Sequence, residues 1–167
     1  MKGKEEFRKI VLGTDHGGYE MKEYLKGYLS KAGYEIEDVI PEYINPISFV
    51  CAANKVCNKV KGTKGVLGIL FCGTGIGVSM AANRHQGIRA ALMYDDFSAE
   101  KSRTHNNANI LAFGGRTMKA EDVARWFEIF MDNEFLGGKY TARNDSLDMP
   151  QDLLKGRKEE GEGLLCN

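Results

Sequence analysis

The chain has 167 residues, 43% of them hydrophobic, with 23 lysines and arginines against 23 aspartates and glutamates. That is the size and composition of one ordinary domain, and zero net charge supplies no global field for nucleic acid while leaving small anions admissible. The longest apolar runs, Gly65 to Cys72 and Arg89 to Tyr94, reach only about 6 to 8 residues against the ~20 of a membrane span, and the polar start Met1 to Glu6 carries no secretory signal, so the expected compartment is the cytoplasm.

Phe7 to Thr14 reads as a strand stopped by the loop Asp15-His16-Gly17-Gly18. Met21, Tyr24, Leu25, Tyr28, Leu29 and Ala32 then follow the spacing of one buried helix face, with Gly33 as its stop. Tyr34 to Val39 alternates like a second strand, and its acidic residues predict a short or exposed one. Ile47, Val50, Ala53, Cys57 and Val60 predict a second helix that opens at Pro46 and ends before Gly62. Gly65 to Phe71 is apolar on both faces, as a central parallel strand covered by helices requires. It leads into Cys72-Gly73-Thr74-Gly75-Ile76-Gly77 and a helix beginning at Val78. Ile88 to Tyr94 and Asn109 to Phe113 read as two more strands, separated by a helix over about Phe97 to Thr104. In the long helix that follows, Val123, Phe127, Phe130 and Met131 share one side, with Asp122, Arg125, Glu128 and Asp132 largely opposite. Five strands alternating with helices predict an α/β fold, a three-layer α/β/α sandwich on a parallel sheet. One domain is expected over 1–146, and a polar tail over 147–167 that is helical and then frayed.

The four cysteines, Cys51, Cys57, Cys72 and Cys166, form no C-x-x-C pair, so neither a zinc site nor a disulfide framework is expected. Cys51 and Cys57 read as small packing residues. Cys72 differs, because alternating glycines beside it let consecutive backbone N–H groups point into one concavity at a helix start, an anion hole. The spacing is not a dinucleotide fingerprint, since Val78 stands where the third glycine would be, and no phosphate-loop motif occurs. Positive potential there favours a thiolate, and a thiolate beside an anion hole can take a carbon-bound proton while the N–H groups hold the enediolate that forms. Ligands of open parallel sheets bind at the carboxyl ends of the strands. Three polar clusters are expected there: Asp15 to Gly18, Cys72 to Gly77, and His105-Asn106.

Asp15-His16-Gly17-Gly18, Phe71 to Leu92 (FCGTGIGVSMAANRHQGIRAAL), Ser102 to Arg116 (SRTHNNANILAFGGR) and Gly137 to Arg143 (GGKYTAR) together resemble the ribose-5-phosphate isomerase B family, a group that includes allose-6-phosphate isomerase and the subunits of galactose-6-phosphate isomerase. The resemblance runs in order over residues 7–145. It implies a Rossmann-like fold, no metal, no cofactor, and a homodimer or dimer of dimers with each active site shared between subunits. By the same resemblance Cys72 is the base moving a proton between C1 and C2 of the open-chain sugar, Thr74 a hydroxyl moving protons at the sugar oxygens, and Gly73, Gly75, Ile76 and Gly77 the loop that holds the enediolate. His105 is implied as the ring opener, with Asn106 and Asp15 as sugar contacts. His16, Arg116, Lys139 and Arg143 fall at phosphate-binding positions, some of them lent by the neighbouring subunit. His85 matches no role and reads as a surface residue.

The chemistry agrees with the resemblance, since aldose-ketose isomerisation needs a ring opener, a carbon base, charge stabilisation and a phosphate handle. The expected reaction is D-ribose 5-phosphate to D-ribulose 5-phosphate through a cis-enediolate. Three departures bear on this. Asn45 stands before Pro46 where family members commonly carry tyrosine, Lys139 replaces a common arginine and so a point charge replaces a fork, and Tyr140 occupies a frequent histidine position. The alternatives are the same chemistry on allose 6-phosphate, galactose 6-phosphate or a tetrose phosphate, and a non-catalytic sugar-phosphate-binding module.

Overall fold

The computed structural model describes residues 3–150 and Leu153, together with two short paired strands, Lys158–Glu159 and Glu162–Leu164. A short helix α1 (Gly3–Glu6) precedes β1 (Lys9–Thr14), α2 (Tyr19–Lys31), β2 (Glu35–Asp38), α3 (Phe49–Val60), β3 (Val66–Cys72) and α4 (Ile76–Ala82). Then come β4 (Ala90–Leu92), α5 (Asp96–Thr104), β5 (Ile110–Gly114), α6 (Ala120–Asp132) and α7 (Lys139–Asp145). The five strands pair in the order β2-β1-β3-β5-β4, all parallel, which is the expected α/β sandwich. The tail expected over 147–167 begins with a 3-10 turn at Ser146–Asp148; most of the remainder lies outside the described residues.

Strand alternation sorts the core into two layers. Ile10, Leu12, Leu67, Ile69, Phe71, Leu111 and Phe113 pack under α2, α5 and α6, while Val11, Leu70, Cys72, Ile110 and Ala112 pack under α3 and α4. All seven β3 residues are buried, as expected for the central strand, and each large apolar side chain so covered contributes about 1.5–3 kcal/mol. On the edge strand β2 the acidic residues find cations: Lys9 Nζ lies 2.8 Å from Glu37, and Lys59 Nζ lies 2.7 Å from the same carboxylate. In α6, Val123, Phe127, Phe130 and Met131 are buried as the spacing predicts, joined by Ala124 and Trp126.

Four expectations change. The second helix starts at Phe49 and not at Pro46, because Ser48 caps it by accepting the Val50 N–H at 3.2 Å. Its buried stripe is Ala52, Ala53, Val56, Cys57 and Val60, leaving Val50 exposed. Cys57 is therefore a packing residue, whereas Cys51, six positions earlier on a 3.6-residue turn, lies on another face and is exposed. The helix after the glycine loop starts at Ile76, two residues before Val78.

Candidate active site

Three loops meet at the carboxyl ends of β1, β3 and β5. The first is organised by Asp15, whose Oδ1 accepts the N–H groups of Gly17 at 2.8 Å and Gly18 at 3.2 Å. Gly18 packs so closely on β3 that a Cβ there would stand 2.6 Å from Phe71 Cβ. The third loop is tied to the second by two backbone bonds, Gly115 N–H to Cys72 O at 2.8 Å and Arg116 N–H to Gly73 O at 2.9 Å. Asp15, His16, Cys72 to Gly77 and Arg116 are thereby brought to one end of the sheet.

Cys72 is the last residue of β3 and its side chain is buried. The Gly75 N–H donates to Cys72 Sγ at 3.1 Å, and the Ile76 N–H donates to Thr74 Oγ1 at 3.3 Å. Gly75 reaches this turn with φ +78°, in the left-handed region, and caps α4. A Cβ there would meet Leu92 Cδ1 at 2.6 Å and the Phe113 carbonyl carbon at 2.9 Å, so the loop needs glycine for both torsion and space. Gly73 lies under Arg116, whose Cδ is 3.4 Å from where a Cβ would sit.

Beside Arg116 a cavity of about 520 Å³ is lined by His16, Gly17, Tyr19, Glu20, Tyr43 and Gly115 among others. His16 Nδ1 is buried and makes no hydrogen bond among the described residues. Tyr19 and Tyr43 meet edge to face with ring centroids 5.4 Å apart, and Tyr19 Oη donates to Pro41 O at 3.0 Å. Sequence reasoning missed both tyrosines; Tyr43 stands two residues before the noted Asn45, on a loop that no periodicity describes. Asn45 itself is exposed.

The expectation that His105-Asn106 joins the carboxyl-end loops is overturned. α5 runs back across the sheet from the carboxyl end of β4, and His105 is its C-cap. His105 and Asn106 therefore lie before the first residue of β5, where Arg89 Nε, from the residue ahead of β4, donates to Asn106 O and Asn107 O. The five residues of β5, about 16 Å of strand, separate that edge from the Cys72 loop. Lys139 and Arg143 are exposed and travel with His105, on α7, a helix the sequence did not predict. Tyr140, on the same helix, stacks its ring on His105 at 4.1 Å and 13°. Burial lowers the His105 pKa from its ordinary 6.5, Lys101, Lys139 and Arg143 lower it further, and Glu100 opposes them. His85 is half-buried beyond both regions, with Nε2 2.8 Å from Asn54 Oδ1. Among the described residues no three His, Cys, Asp or Glu side chains gather in a metal-holding group.

A parallel α/β fold that places a cysteine sulfur against a glycine-loop amide, with an arginine lying across the loop, offers small anions a binding cleft at the carboxyl ends of its strands, as α/β enzymes do. A family model described as Ribose/Galactose Isomerase matches residues 10–147. Ribose-5-phosphate isomerase B of Escherichia coli (strain K12) is 34% identical over 140 residues, covering 84% of this chain and 94% of that protein. The crystal structure of a ribose 5-phosphate isomerase from Thermotoga maritima matches at a TM-score of 0.81 and 39% identity, over 84% of this chain and 97% of that one. Ribose-5-phosphate isomerase B from Mycoplasma genitalium, solved with ribulose-5-phosphate bound, matches at 0.75 and 30% identity, over 83% and 93%. The chain belongs to the ribose/galactose isomerase family, and it is an isomerase.

Proposed function

We propose that this enzyme interconverts D-ribose 5-phosphate and D-ribulose 5-phosphate through a cis-enediolate, as a cytoplasmic homodimer whose active sites are each built from two subunits. The observation that carries the chemistry is Cys72 Sγ receiving the Gly75 N–H at 3.1 Å. An amide aimed at the sulfur solvates a thiolate, and neighbouring amides of the same turn can hold an oxyanion. The observation that supports sharing is the separation of Cys72 from His105 at opposite ends of one sheet. One chain cannot bring both to one pentose, whereas two copies related by a two-fold axis can. The three described cysteines are free, as a reducing compartment expects.

In this reading the furanose enters with its phosphate on Arg116 and His16 of one subunit and on Lys139 and Arg143 of the other. His105 takes the O1 proton as the C1–O4 bond breaks; the ring oxygen O4 gains a proton and C1 becomes an aldehyde. The Cys72 thiolate removes the C2 proton, the C–H electron pair forms the C1–C2 double bond, and the carbonyl pair moves onto O1. Amides of Gly73 to Gly77 hold that charge while Thr74 relays a proton between O2 and O1. Cys72 then returns its proton to C1, O2 becomes the ketone, and nothing is consumed. Asp15 and Asn106 orient the remaining hydroxyls.

A second reading keeps the chemistry and changes the sugar, motivated by Asn45, Lys139 and Tyr140 standing where the resemblance expects tyrosine, arginine and histidine, with Tyr140 covering His105. Comparing kcat/KM over four-, five- and six-carbon aldose phosphates decides between them, with ribose 5-phosphate expected to lead. Full isomerase activity in Cys72→Ala would overturn the assignment of the base.

A further inference from the structure

This inference rests on the reading of His105 as the ring-opening group and deepens it. A histidine at a helix end ordinarily turns freely about its broad outer torsion, so something must fix its plane before its ring nitrogens can meet a sugar oxygen reproducibly. Here a neighbouring ring sets that plane. The Tyr140 ring lies flat on the imidazole, with centroids 4.1 Å apart and planes 13° apart. The His105 backbone is held separately: its N–H donates to Lys101 O at 3.0 Å, and its carbonyl accepts from Asn144 Nδ2 at 3.1 Å.

Tyr140 is itself placed by α7. That helix follows Gly137 and Gly138, both at positive φ, and buries none of its own side chains. Its docking on the body includes the Leu136 N–H bond to Thr104 O at 3.1 Å, the Asn144 bond, and the ring stack. Lys139 Nζ and Arg143 Cζ stand 5.5 and 5.9 Å from the Tyr140 ring centre. Both imidazole nitrogens lie in the ring plane. A face-on stack therefore leaves both nitrogens open at the edge while removing rotation, which an edge-on or hydrogen-bonding neighbour would not do.

We infer that Tyr140 is a positioning residue that fixes the His105 imidazole plane for ring opening, and that it takes no part in proton transfer at carbon. The two steps can be separated by substrate. Ribulose 5-phosphate has its C5 oxygen esterified and cannot close a furanose ring, yet it must bind the same phosphate groups and the same Cys72. Solvent deuterium exchange into its C1 thus reports carbon chemistry and phosphate binding without ring opening.

The experiment measures that exchange, and kcat/KM for ribose 5-phosphate, in the purified full-length protein and in Tyr140→Leu, Tyr140→Gln, Tyr140→Phe, Tyr140→His and His105→Ala. The two non-aromatic variants are expected to lose about tenfold on ribose 5-phosphate and to keep exchange within about twofold, a size set by the upper range of an aromatic pair. The phenylalanine and histidine variants, which can still stack, should stay within about twofold of the parent on both. Equal loss of both activities in the non-aromatic variants, or no loss at all, would overturn the inference. His105→Ala isolates the underlying reading. If it fails to lose ring opening selectively, the role of His105 is wrong; if it loses it while Tyr140→Leu does not, only the positioning role is wrong.

Discussion

Gly75 offers its N–H to Cys72 Sγ from inside the same turn, so the sulfur and any bound anion draw on one set of amides. The turn exists because Gly75 sits at φ +78° against Leu92 and Phe113. Gly75→Ala is expected to cost about 1–3 kcal/mol in torsional strain alone, and the steric contact adds to it. The amide is then turned away from sulfur, and kcat should fall about 100-fold or more, the loss typical of one misplaced oxyanion donor. Chemical denaturation together with steady-state kinetics checks both; a variant with parental kcat would show that the Gly75 amide is not used.

Mixed dimers test whether the site is shared. Cys72→Ala and His105→Ala homodimers should each be nearly inactive on ribose 5-phosphate. A heterodimer of the two carries one site with both defects and one with none. After unfolding and refolding an equimolar mixture, activity should recover to about one quarter of wild type, since half of the dimers are hetero and half of their sites are whole. Absence of recovery, with dimers confirmed by light scattering, would place Cys72 and His105 in the same subunit's site.

Much of this molecule was legible in its sequence, and the part that was not has a physical cause. Gly65 to Phe71 announced a central strand because burial on both faces leaves no alternation, and β3 is buried throughout. The glycine loop was legible because closely spaced glycines constrain the backbone locally. Grouping by polar cluster puts His105 at the wrong end of the sheet, although the right end follows from connectivity alone: a residue that precedes β5 must stand at its amino edge. The Tyr140 ring stack across 35 positions and the Tyr43 cavity wall on an irregular loop are tertiary facts that no local pattern carries. Arg103 is the extreme case. It is buried between the rings of Phe7 and Phe130 and paired with Glu6 and Asn107, where an arginine in a polar helix would be expected to face water.

Lys22 is another buried cation, 0% exposed, with Nζ 2.8 Å from Asp38 Oδ2 and 2.5 Å from Ile40 O. Lys22→Met should destabilise the fold by about 3 kcal/mol, because it leaves a largely buried carboxylate with one of its two neighbouring ammonium groups removed. Burial pushes the Asp38 pKa up, but hydrogen bonds from Lys22 and Lys26 outweigh it and hold the group below its ordinary 3.8. The unfolded chain therefore takes up this proton at higher pH than the folded one. Stability from Asp38 is whole above about pH 5 and is lost as the pH falls through 3.8 towards the lower folded value. Urea midpoints of wild type and Asp38→Asn should differ most near neutrality and converge in acid; a constant difference down to pH 3 would refute the assignment.

His105 supplies the remaining pH signature. Its surroundings disfavour the imidazolium, first through burial and then through Lys101, Lys139 and Arg143, while Glu100 opposes them. The free enzyme should therefore show a histidine titrating below 6.5, identified among the three histidines by its disappearance in His105→Ala. The direction of each neighbour's effect follows from its charge. Lys101→Gln removes a repelling cation and should move the midpoint up, whereas Glu100→Gln removes the favourable anion and should move it down. Because kcat/KM reports the free enzyme, the acid limb of its profile on ribose 5-phosphate should shift the same way in each variant. A midpoint at or above 6.5 in the wild type, or a downward shift in Lys101→Gln, would mean that the cations of α5 and α7 do not govern this ring.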